Sequence, residues 1–177
     1  LAAMGGLFTS VNDLARWVLQ SGDPNARATP VHDRGIFGTG QVVTVGDTGI
    51  DYEHDAFEDP SVPSPGATHR KVTDYYIPPG AGGDSTDNDI NHGTHVSGTV
   101  AGDDGTWHVY DGDPAASNGS AGPHDGQAFD AKVQVQDLSP DGYWVFPPAD
   151  FHDMYQPALD RGSWIHTNSW GSAGGEY

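Results

Sequence analysis

Two short segments hold residue types that could do chemistry together. In GQVVTVGDTGID (residues 40–51) a β-branched apolar run, Val42 to Val45, is cut off by Gly46 and Asp47, and in DINHGTHVSGTVAG (89–102) His92 and His95 stand three residues apart among small residues. An apolar run bounded by turn residues suits a strand buried in a parallel sheet, and Gly46 and Gly49 let the backbone turn sharply around Asp47. His92 opens a helix in which Gly93, Ser97, Gly98, Ala101 and Gly102 are small enough to let it press against that sheet. In open parallel sheets functional groups collect where the strands end. A carboxylate at a strand end and an imidazole at a helix start can therefore meet. The carboxylate would accept the Nδ1 proton, fix the tautomer and stabilise the imidazolium, leaving Nε2 to act as a base.

Other readings of the same residues compete with this one. Asp47 alone would suit a strand-end turn. Two histidines with Asp47 as a third ligand could hold a metal, but the zinc-binding helix motif needs histidines four apart with a glutamate between them, so no metal site is expected. Asp87, Asp89 and Asn91 mimic the first half of a calcium-binding loop, but His92 stands where the required glycine belongs and Gly98 where the closing glutamate belongs. DGDPAASNG (111–119) offers oxygen ligands for a structural calcium ion, with a solvated acidic loop as the simpler alternative. No cofactor is required by any of these patterns.

The elements that must position these groups follow from periodicity. Ser10 to Ser21 place Val11, Leu14, Ala15, Val18 and Leu19 at helical spacing, with Ser10 as N-cap and Gly22 as stop. KVTDYYI (71–77) fits a short strand, AKVQVQDL (131–138) alternates as a strand, and SWIHTNSWG (163–171) reads as another. Val96, Thr99 and Val100 give the His92 helix one apolar side. ADFHDMYQPALDRG (149–162) puts Phe151, Met154, Tyr155, Ala158 and Leu159 on one helical face, with Pro157 expected to kink it or confine it to a short second half. Strands alternating with helices predict an α/β fold on a mostly parallel sheet. Residues 1–29 read as a helix and connector leading into a domain over 30–177.

Bulk composition narrows the partners. At 177 residues the chain suits one domain with a real core, and no run of 18 apolar residues suggests a membrane span. Acidic residues number 25 against 7 basic ones, the only lysines are Lys71 and Lys132, and the net charge is −18. A phosphate backbone would be repelled by such a surface, which argues against nucleic acid. Like charges repel within a Debye length of about 8–10 Å at moderate salt, shrinking to about 3 Å at 1 M, so an Asp-rich, Lys-poor surface predicts adaptation to concentrated salt. Without cysteine there is no disulfide framework.

Taken together, VVTVGDTGID, HGTHVSGTVAG and HTNSWG resemble the subtilases, the subtilisin-like serine endopeptidases, and the last motif with the N-terminal helix looks closest to the oxidatively stable alkaline members. The resemblance implies a three-layer fold with helices flanking a mostly parallel central sheet. It implies Asp47 as the triad carboxylate, His92 as the general base and His95 as a structural residue one turn deeper. His54 and Phe57 would be structural after the DTGID turn. Ser169, Trp170 and Gly171 would pair with substrate and border the primary specificity pocket. Peptide or protein substrates and secretion follow from the same likeness. The family's later oxyanion-hole Asn and Gly-Thr-Ser-x-Ala segment do not occur, and none of the twelve serines has that context. The nucleophile is therefore expected beyond Tyr177, the sheet to be truncated on its C-terminal side, and these residues alone to be inactive and to expose apolar surface. A non-catalytic peptide-binding module and an acidic calcium-binding structural domain are the rival functions.

Overall fold

The computed structural model describes residues 34–85, 92–103 and 125–171. Within them, strand β1 (Val42–Asp47), strand β2 (Val72–Tyr76), helix α1 (His92–Ala101), strand β3 (Lys132–Asp137), helix α2 (His152–Asp160) and strand β4 (Ile165–Thr167) follow one another along the chain. All strand pairs are parallel, in the order β2-β3-β1-β4. The β-branched run of β1 lies near the middle of the sheet, where a strand must be apolar on the helix-covered face. The expected 10–21 helix and the 111–119 loop lie outside the described residues. Among those residues no helix is long and apolar enough to cross a membrane.

Register divides the sheet into two unlike faces. Val43 pairs with Val133 and Val45 with Val135, and Val45, Val133, Val135 and Val72 join Ile50, Phe57, Val96, Ala101 and Ala131 in one apolar core. Helix α1 supplies Val96 and Ala101 to that core, with Gly93 and Ser97 also buried. On the opposite face Thr44 pairs with Gln134 and Gly46 with Gln136, and both glutamines are fully buried. The Gln136 side-chain amide donates to the Met154 carbonyl of α2 at 2.7 Å, which sets α2 on this second face and completes a helix–sheet–helix arrangement.

Three expectations need correction. Pro157 does not confine α2 to a short second half, because the helix runs from His152 to Asp160 with Pro157 inside it. A helix of nine residues loses only one internal hydrogen bond at Pro157 and closes with the Arg161 N–H on the Ala158 carbonyl at 3.2 Å. The stripe expected on its inner face is split: Met154 and Ala158 are buried, whereas Phe151, Tyr155 and Leu159 are exposed. β4 is shorter than 163–171 and forms one edge of the described sheet, with its first residue, Ile165, and the preceding Trp164 exposed.

Both lysines tie β2 to β3. The buried Lys71 ammonium donates to the carbonyls of Phe129 and Ala131 at 2.5 and 2.7 Å, and the Lys132 ammonium donates to the His69 carbonyl at 2.7 Å. Burial pushes the Lys71 pKa from 10.5 down to about 8, against the pull of Asp103. Between those values the unfolded chain binds more protons than the folded one, so stability from this site rises from pH 8 to 10.5 and is lost as pH falls through 8. Urea unfolding across that range should show this rise in the wild type. The Lys71→Met variant should show a flatter profile.

Candidate active site

Asp47 is the last residue of β1, and its side chain points to the α1 face with only 1% of its surface exposed. A buried carboxylate needs hydrogen-bond donors around it. The Thr48 N–H donates to Oδ1 at 2.8 Å, and His92 Nδ1 lies 2.9 Å from Oδ1 and 3.1 Å from Oδ2. The carboxylate can only accept when ionised, so Nδ1 carries the proton and Nε2 keeps its lone pair when the ring is neutral. The His92 side chain is 52% exposed. The sequence-predicted pair is thus brought together across 45 residues, with the acid inside and the imidazole at the surface.

Local chemistry explains why the helix starts there. The first N–H groups of a helix lack partners within it, and the Thr48 hydroxyl accepts from the Gly93 N–H at 3.0 Å. The Thr94 hydroxyl returns the contact, accepting from the Asp51 N–H at 2.8 Å. A Cβ on Gly93 would lie 2.1 Å from the Gly49 carbonyl oxygen and 3.2 Å from the Asp47 Cβ, so only glycine lets α1 approach this closely. Gly49 itself adopts φ +91°, a conformation open to glycine. The sequence pattern exposed the glycines. It gave no signal for Thr48 and Thr94, because a threonine beside a strand-end aspartate looks like any turn residue.

Ser169, Trp170 and Gly171 follow β4 beside the end of β1. Ser169 and Gly171 are exposed, while Trp170 turns its indole inward and donates from Nε1 to the Gly46 carbonyl at 2.7 Å. Beneath them runs a half-buried polar chain. His166 Nε2 donates to Gln136 Oε1 at 3.0 Å, and the Asn168 amide donates to His166 Nδ1 at 3.1 Å. The direction is fixed because the Gln136 amide nitrogen already donates to the Tyr76 hydroxyl and to the Met154 carbonyl, both at 2.7 Å. Gln134 Oε1 accepts from the Thr44 and Tyr76 hydroxyls at 2.9 and 3.3 Å.

Other predicted residues stand apart. His95, three residues along α1 and on nearly the same face as His92, is exposed rather than one turn deeper. Phe57 belongs to the apolar core, and the exposed His54 accepts the Ala56 N–H at its Nδ1. Among the described residues no three acidic or histidine side chains converge as a metal site would require.

The described sheet is all parallel and carries an Asp–His pair across the end of β1 and the start of α1, and the chain belongs to the subtilase family, which it matches over residues 38–177. Among curated proteins it is similar to the serine protease/ABC transporter B family proteins tagB and tagA of Dictyostelium discoideum. It is 36% identical to tagB over 141 residues, covering 76% of this chain and 7% of that protein. It is 34% identical to tagA over 166 residues, covering 93% and 9% respectively. The chain thus spans less than a tenth of the length of these relatives.

Burial alone pushes the His166 pKa from 6.5 down to about 4. The unfolded chain therefore binds more protons between those values, so the stability His166 supplies is complete above pH 6.5 and is lost as pH falls through about 4. Acid unfolding midpoints should show a steeper decline between pH 6.5 and 4 in the wild type than in His166→Asn. Equal slopes would mean that His166 is not held neutral by its surroundings.

Proposed function

We propose that this chain is the front portion of the catalytic domain of a subtilisin-like serine endopeptidase. Asp47 orients His92, and His92 acts on a serine supplied by a part of the protein beyond this sequence. The observation that carries the reading is the hydrogen bond from His92 Nδ1 to a carboxylate buried at the end of β1. In the proposed reaction Nε2 takes the serine proton as the serine oxygen attacks the peptide carbonyl carbon, and His92 then gives that proton to the leaving amine. Asp47 stabilises the transient imidazolium without taking the proton itself. Water, activated by the same base, releases the acyl group. Ser169, Trp170 and Gly171 would pair with an extended peptide by strand addition, because they continue the direction of β4 past its last ladder contact. Substrates are accordingly peptides or proteins. No cofactor takes part, and calcium would act only as a structural ion. The family resemblance supports an extracellular setting, and the net charge of −18 supports a salt-rich one.

The test is labelling of the full-length protein by a fluorophosphonate probe. One serine should react in the wild type, faster at 2 M than at 0.1 M salt if the charge requires screening. His92→Ala should abolish the labelling, and Asp47→Asn should slow peptide turnover by roughly 10⁴-fold. Undiminished labelling of His92→Ala would remove the general-base role, and no labelled serine in the wild type would favour a non-catalytic peptide-binding module.

A further inference from the structure

The Gly46–Asp47 peptide sits where the sheet ladder runs out. On the β3 side the Leu138 N–H donates to the Asp47 carbonyl at 2.8 Å. On the β4 side the register ends with Val45 opposite Thr167, so no strand pairing remains for the Gly46 carbonyl. The Trp170 indole takes that place, with Nε1 at 2.7 Å from the Gly46 oxygen. The same glycine is hemmed in on its Cα side, where an added Cβ would meet Asn168 Oδ1 at 2.9 Å and His166 Cε1 at 3.1 Å. The residue directly before the buried carboxylate is therefore bonded by the Trp170 indole, in a space that leaves no room for a side chain.

We infer that Trp170 is a positioning residue for the Asp47–His92 pair, joining the backbone that would seat an extended peptide to the peptide unit that aims the carboxylate. Its neighbours Ser169 and Gly171 are exposed and free to meet a substrate backbone, while its own side chain points to β1. A tryptophan has two side-chain torsions, so fixing its backbone fixes its N–H with little slack. A peptide docking along residues 169–171 then steadies Gly46, and Gly46 steadies Asp47. A residue that only lined a pocket would need bulk here. This one uses a donor aimed at a specific carbonyl, and that carbonyl adjoins the acid rather than the substrate.

This inference rests on the proposed peptidase activity, and its test separates the two. In the full-length protein Trp170 is replaced by phenylalanine, and separately by benzothienylalanine, which keeps the shape of the indole and lacks only the N–H. Turnover of a peptide substrate should fall roughly fivefold to tenfold in both, as expected for one lost hydrogen bond, with KM moving less than about twofold. Fluorotryptophan at the same position, which retains the donor, should restore the wild-type rate. A raised KM with unchanged kcat, or wild-type kinetics in the benzothienylalanine protein, would overturn the positioning role while leaving the peptidase reading intact. A wild-type protein that hydrolyses no peptide would overturn both.

Discussion

Asp47 is an ionisable side chain almost wholly removed from water, and the geometry around it follows from that condition. An ionised carboxylate taken out of water loses several kcal/mol of solvation unless donors surround it. Two donors come from close by, the Thr48 N–H and the His92 imidazole. Bringing His92 there requires α1 to begin against the DTGID turn, which in turn requires Gly93 to have no side chain. The threonine hydroxyls at 48 and 94 then satisfy the backbone groups that this close approach takes from water. Each such bond contributes about 1 kcal/mol, but leaving one unmade in a buried site costs more. The helix start, the turn and the acid thus depend on one another.

The opposite face of the sheet solves a different problem. Gln134 and Gln136 are buried among strands that could have been apolar, and every polar atom of their amides must find a partner. The Gln136 amide and the Gln134 carbonyl oxygen do so through Thr44, Tyr76, His166 and the Met154 carbonyl. Such a network is directional, unlike an apolar layer, so it favours one register of β1, β3 and β4. Arg161 closes it at the edge, pairing with Asp74 at 2.7 Å and covering the Tyr76 ring at 4.0 Å. The end of β1 is consequently fixed from below as well as from the α1 side.

Sequence patterns revealed the parts whose signals are local. The β-branched run of β1, the small residues of α1 and the Val/Gln alternation of β3 each announce their element within ten residues, and the two anchor motifs singled out Asp47 and His92. What stayed hidden depends on partners distant in the chain. The glutamines of β3 look like a solvent-facing row until α2 and β4 cover them. Phe151, Tyr155 and Leu159 share a helical stripe with Met154 and Ala158, but only the latter two are buried. Trp170 reads as part of a substrate-binding motif, and nothing in its neighbours tells that its indole reaches back 124 residues to Gly46.

Asp47 dictates which nitrogen of His92 carries the proton. Ring-nitrogen NMR of histidine-labelled protein at neutral pH measures this directly. His92 should hold its proton on Nδ1 with Nε2 bare, and this single tautomer should give way to a mixture in Asp47→Ala. A proton on Nε2 in the wild type, or the same tautomer in both proteins, would contradict it.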